Sequence, residues 1–252
     1  MKSSARIIVS QPRDTVRVTL SSGQVLEGPL GTTVEAFLHA DRELHPDQYA
    51  SPIIAGVFDA KLRELSYSVK RDGTLQPVLL STSDGGRIYR RSLILLLVTA
   101  VEELFPNVKV SVSYAVPDGG MFCILRNREP FTADEVTRVE AHMREIVAAD
   151  DPINKKMVTL EEAVALFRER GDDDKLRLLE SRTRNGLILY TLRGRSDYYY
   201  GYMLPSTGIL QTFRLLPTEG GFVLQYPRQG SPNGLQPMKT YIKVNQVFQE
   251  AE

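Results

Sequence analysis

The chain has 252 residues, 42% apolar and 25% charged, a composition typical of globular proteins and long enough for two compact domains. Lysine plus arginine equals aspartate plus glutamate at 31 each, so the chain lacks the basic excess that advertises non-specific nucleic-acid binding. Its single cysteine, Cys123, excludes an intrachain disulfide framework and a multi-cysteine zinc knuckle.

Val16, Val18 and Leu20 alternate with polar residues and Ser22-Gly23 marks a turn, which predicts a hairpin over 16–30. Thr32 with Glu35 three residues on forms a capping-box pattern before Val34, Phe37 and Leu38, so a short helix is expected to begin there. Pro52 to Leu65 reads as extended, with Asp59-Ala60 as its turn, and Arg71-Asp72-Gly73-Thr74 is a further turn before another strand. Asp84-Gly85-Gly86 breaks the pattern, which places an expected domain boundary between residues 1–83 and 84–252.

From about Arg87 to Phe105 the apolar residues surround most of a helical circumference, as in a central buried helix. Val108 to Val116 alternates as a strand, Asp118-Gly119-Gly120 turns, and MFCILR forms a second strand. Thr132 with Glu135 opens a helix whose inner face is Val136, Val139, Met143, Ile146 and Val147, and Thr159 with Glu162 opens another, to about Arg170. Leu176 to Leu179 continues helical, Gly186 to Leu192 is a strand, and short strands follow near Phe213 and from Phe222 to Tyr226. The longest apolar run, Leu93 to Val98, falls far short of the ~20 residues of a membrane span. The N-terminal residues lack the apolar core of a signal peptide, so no membrane partner and a cytoplasmic location are expected.

The segment VTLSSGQVLEGPLGTTVEAFL, within residues 16–80, resembles the TGS domain, the β-grasp unit that opens threonyl-tRNA synthetases. Residues 86–210 resemble the next domain of those synthetases, which edits mischarged tRNA. The landmarks are YRRSLILLL at 89–97, AVEELFPNVKVS at 100–111, PFTADEV at 130–136, LEEAVALF at 160–167 and DYYYGYMLPSTG at 197–208. The resemblance implies an α+β fold: a TGS-like β-grasp domain, then an editing-like α/β domain around a central helix.

Such editing domains hold a His-x-x-x-His pair on the central helix and a Cys and a His four apart on a later loop. Those types can bind zinc or position a water against an aminoacyl ester. The aligned residues here are Arg91, Leu95, Tyr199 and Met203. Arginine stays protonated and leucine has no lone pair, so the resemblance implies an editing cleft with its chemistry removed. Neither His39, His45 nor His142 stands at a site position, and His142 is expected on a mostly solvated arc. No catalytic residue, metal ligand or cofactor is therefore expected in this chain.

Arg90-Arg91 opens the predicted central helix and reads either as an anion contact at the old cleft or as a solvated helix start. Tyr198, Tyr199, Tyr200 and Tyr202 form an aromatic cluster, either a stacking surface for a base or bulk that fills the vacated pocket. Arg182, Arg184, Arg193 and Arg195 flank the strand 186–192 and offer a weak candidate for a nucleic-acid stripe.

DYYYGYMLPSTGIL, residues 220–237 and the tail 244–252 also resemble bacterial uridine kinase-like (nucleoside kinase) proteins, in which a similar region precedes an ATP-binding kinase domain. No Gly-x-x-x-x-Gly-Lys-Ser/Thr run is present here. That resemblance implies a non-catalytic binding or regulatory region, with ATP and Mg belonging only to a C-terminal kinase domain as its partner. The ligand expected for the cleft is a nucleoside, an amino acid or RNA. The alternative is an aminoacyl-tRNA deacylase or tRNA-binding module related to threonyl-tRNA synthetase.

Overall fold

A computed structural model describes residues 11–117, 119–180, 182 and 186–238. These fall into two compact units, one of residues 11–48 and 55–77, the other of 49–54 and 78–238.

In the first unit the hairpin forms from β1 (Thr15–Leu20) and β2 (Val25–Pro29), with Val16 opposite Gly28. Helix α1 (Val34–Leu44) follows, then a 3-10 turn at Pro46–Gln48. The helix begins one residue later than the capping pattern predicts: Thr33, not Thr32, is the N-cap, and its side chain accepts from the Ala36 N–H. Strands β3 (Ile53–Phe58), β4 (Lys61–Glu64) and β5 (Gly73–Leu79) complete a five-stranded sheet in the order β2-β1-β5-β3-β4, with β1 and β5 parallel. Asp59 and Ala60 both take positive φ, 46° and 61°, as the tight β3–β4 turn requires. Gly56 lets the α1 face come close: a Cβ there would lie 2.6 Å from Val34 Cγ1 and 2.9 Å from Leu75 Cδ1.

The second unit is built on α2 (Ser83–Leu104). The Asp84-Gly85-Gly86 run is not a break but the first turn of this helix, capped by the Thr82 side chain on the Gly85 N–H. Glycine serves packing there, because a Cβ at Gly85 would sit 2.1 Å from the Leu79 carbonyl oxygen. Tyr89, Leu93, Leu95, Leu96 and Leu97 are buried, so the helix is central as its composition predicts.

Strands β6 (Lys109–Val116) and β7 (Gly120–Arg126) precede α3 (Ala133–Ala148). Helix α3 has the full capping box at Thr132 and Glu135 and buries the five predicted apolar residues. Then follow β8 (Asn154–Thr159), α4 (Leu160–Glu169), α5 (Asp173–Glu180), β9 (Gly186–Leu192), β10 (Arg195–Tyr198), β11 (Arg214–Thr218) and β12 (Gly221–Gln225). Two antiparallel sheets result, β11-β12-β7-β6 and β10-β9-β8. The smaller one shares a core with α4 and α5 through Val158, Ala163, Phe167, Leu179, Leu187 and Leu189. Strand β8 has no apolar alternation, since all its residues but Val158 are exposed, and so it leaves no periodic trace in the sequence. The fold is thus mixed, with helices and largely antiparallel sheets, as an α+β class requires. Among the described residues no helix is long and apolar enough to cross a membrane.

Candidate functional site

The loop 199–213 is fixed against α2 by three consecutive kinds of contact. The Tyr89 hydroxyl donates to the Thr212 carbonyl at 3.0 Å and accepts from the Thr212 N–H at 3.1 Å. The Arg91 Nε donates to the Tyr202 carbonyl at 3.0 Å. Ser92 Oγ donates to the Ile88 carbonyl and accepts from the Leu204 N–H at 2.9 Å. At the far end of α3 the same loop is held again. Thr207 Oγ1 donates to the Ile146 carbonyl at 2.8 Å, and Asp150 Oδ1 accepts from the Gly208 N–H at 2.6 Å. A loop held on both sides presents its side chains in a fixed geometry.

The four aligned positions fare differently. Leu95 and Met203 are core residues, 0% and 1% exposed. Tyr199 is half-buried, with Lys175 Nζ 5.2 Å from its ring centroid. Burial, with the Asp197 carboxylate behind it, pushes the Tyr199 hydroxyl well above the usual tyrosine range. Arg91 is half-buried too. Burial lowers its pKa, and the neighbouring Arg90 and Arg87 add to the effect while Tyr190 opposes it. It remains a cation at neutral pH. None of the four can take or give a proton near pH 7. Cys123 cannot either, because burial in β7 raises its thiol to about 12. Among the described residues no three of His, Cys, Asp and Glu are grouped as metal ligands.

Arg91 lies deep within α2, not at its start, because the helix begins at Ser83. Arginines at a helix start would oppose the helix dipole, and this placement avoids that. The Arg91 guanidinium instead lies flat on the loop. A Cβ at Gly201 would meet its Cζ, Nη2 and Nη1 at 2.8, 2.9 and 3.0 Å, and Gly201 holds φ at +122°. Only glycine permits this stacking. Tyr200, the neighbouring residue, is 89% exposed.

The arginines near β9 are engaged within the fold. Arg182 donates to the Tyr198 hydroxyl and the Gly186 carbonyl, each at 2.9 Å. Arg193 pairs with Glu103 at 3.0 Å and Asp151 at 3.1 Å. Arg195 pairs with Glu102 and, at 3.6 Å, with Asp197. Arg184 lies outside the described residues, as do the tail 244–252 and Asp118. Asp197, 4% exposed, also takes Lys175 at 2.9 Å and Arg170 at 3.8 Å. This three-cation node escapes the sequence because Arg170 at the end of α4 and Lys175 on α5 reach a carboxylate more than 20 residues away on β10.

His142 is not solvated. Its Nε2 lies 2.6 Å from Glu103 on α2 and its Nδ1 2.9 Å from Glu145, because α3 packs directly on α2. The His45 Nε2, by contrast, lies 2.7 Å from the Gln24 side-chain oxygen, and His39 is exposed.

No family model matches the chain. The threonine–tRNA ligase of Symbiobacterium thermophilum is 32% identical over 208 residues, covering 82% of this chain and 31% of that enzyme. That of Burkholderia lata is 33% identical over 174 residues, covering 69% and 27%. That of an Acidovorax species is 31% identical over the same length and shares. The chain spans less than a third of the length of these relatives. It is homologous to a region of threonine–tRNA ligases.

Proposed function

We propose that this chain is a tRNA-binding module of threonyl-tRNA synthetase descent that has lost ester hydrolysis. The observation that carries the reading is the set Arg91, Leu95, Tyr199 and Met203 at the positions where editing needs bases and metal ligands. Two of these are buried in the core and the other two stay in fixed protonation states at neutral pH. The loop that would carry the later pair is nonetheless firmly held, which supports retention of a binding cleft. The first unit, a mixed five-stranded sheet with one helix, supports its assignment as a TGS-like β-grasp domain.

Equilibrium binding of tRNA to the full chain tests the reading. Salt-dependent binding is expected, with affinity falling as ionic strength rises. Failure to bind tRNA at low salt, with the chain folded, would overturn it.

The likeness of residues 197–210, 220–237 and 244–252 to nucleoside kinase-like proteins supports a kinase domain as a covalent partner in the parent polypeptide, where ATP and Mg would act. Reading the gene beyond the codon for Glu252 tests this. A phosphate-binding loop of the Gly-x-x-x-x-Gly-Lys-Ser/Thr type is expected there, and synthetase catalytic sequence in its place would refute it.

A further inference from the structure

After β12 the chain makes a closed loop, residues 226–236. The buried Gln225 side chain donates to the Gln236 carbonyl at 2.5 Å and so ties the two ends together. Inside the loop Arg228 and Ser231 form an isolated bridge. Ser231 to Gly234 then makes a tight turn with Pro232 at its second position, where the fixed φ of proline suits it. The loop is pinned by Asn233, whose Nδ2 donates to the Ala50 carbonyl at 2.7 Å, within the same unit. A carbonyl only accepts, so the pin depends on the amide nitrogen of Asn233.

That nitrogen is chemically vulnerable. Asn233 is exposed, so water reaches it, and Gly234 follows it. The Gly234 N–H is weakly held, since its contact with the Ser231 carbonyl is long at 3.4 Å. The surround is open as well: a Cβ at Gly234 would meet nothing closer than Ser231 Oγ at 4.0 Å. A backbone nitrogen without side-chain crowding can reach the carboxamide carbon of the residue before it.

We propose that Asn233 is a modification site at which the chain converts its own carboxamide to a carboxylate and thereby unpins the loop from Ala50. The Gly234 nitrogen gives up its proton and attacks Asn233 Cγ. The N–Cγ bond forms, the Cγ–Nδ2 bond breaks, and ammonia leaves, carrying that proton. Water then opens the five-membered imide at either carbonyl, which yields aspartate or isoaspartate at position 233. The net change is one water consumed and one ammonia released, with no oxidant or reductant. The product places a carboxylate oxygen against the Ala50 carbonyl oxygen, two acceptors with no proton between them, so the contact opens. This goes beyond the tRNA-binding reading and does not depend on it.

The folded full chain is incubated in mildly alkaline buffer beside a synthetic peptide of residues 228–237, and both are followed by peptide mass spectrometry that separates aspartate from isoaspartate. Conversion of Asn233 within about tenfold of the peptide rate is expected, because a weakly held turn opens at little cost. Gly234→Ala should slow it, and Asn107, Asn127 and Asn154, followed by Val108, Arg128 and Lys155, should stay intact over the same period. The unpinning is read separately by trypsin cleavage after the exposed Arg228 under native conditions. Cleavage of Asn233→Asp about fivefold to tenfold faster than the parent is expected, the worth of one hydrogen bond when cleavage tracks loop opening. Asn233 that stays intact in the folded chain while the peptide converts fully would overturn the proposal. Equal cleavage of Asn233→Asp and the parent would overturn it too, since the modification would then release nothing.

Discussion

Two groups of arginines in the second unit differ in what surrounds them. Around Asp197, the cations Arg170, Lys175 and Arg195 come from different elements and share one buried carboxylate, with Asp172 and Glu102 balancing the rest. On α2, Arg90 and Arg91 are consecutive and form no ion pair with a described residue, although the Asp84 carboxylate, paired with Arg87, favours the Arg91 charge. The first arrangement is structural, since every charge is answered inside the fold. The second leaves positive charge half-buried with no ion pair to a described residue. The difference teaches that arginine density in a sequence says little about binding; what matters is whether the fold supplies the counter-charge.

The largest effect should come from breaking the balanced group. Asp197→Ala leaves three partly buried cations without their shared acceptor, and a loss of about 3–5 kcal/mol in urea unfolding is expected. A loss below about 1 kcal/mol would mean that the node is solvated and the contrast with α2 is false. Gly201→Ala comes next. The methyl would collide with the Arg91 guanidinium at a positive φ, so a loss of about 1–3 kcal/mol is expected, together with displacement of Arg91 from the Tyr202 carbonyl.

His142 gives a smaller, pH-dependent effect. Burial works against its charge, but the hydrogen bonds it donates to Glu145 and Glu103, with the charge of those carboxylates, outweigh burial and raise its pKa above the usual 6.5. A raised histidine pKa stabilises the fold fully below 6.5, and that contribution is lost as pH rises through the folded value. Thermal stability followed from pH 5.5 upward (about one unit below the free value) should therefore decline through this window, and His142→Gln should flatten the decline. Smallest of all should be Arg90→Gln, whose effect on unfolding is expected within about 0.5 kcal/mol because Arg90 has no hydrogen-bond or ion-pair partner among the described residues. A large destabilisation would place Arg90 among the structural arginines.

Much of the fold is legible in the sequence where a local rule decides it. Thr132 and Thr159 announce their helices because the capping box is a contact between near neighbours. The inner face of α3 follows from helical period alone. Asp84-Gly85-Gly86 misleads, because glycine usually ends a helix and here Gly85 is required by the Leu79 carbonyl against it. That misplacement of the α2 start also puts Arg90-Arg91 at the helix entrance, whereas the helix begins at Ser83. The Asp197 node and the His142 bridge are illegible for a different reason. Each joins residues distant in sequence, and no periodicity encodes such pairings.

The central claim is that the cleft binds but does not hydrolyse, and hydrolysis of mischarged tRNA by the full chain at saturating concentration tests it most directly. The ester should disappear at the rate seen in buffer alone, with or without Tyr199→Phe. Multiple turnovers that this substitution abolishes would contradict the account.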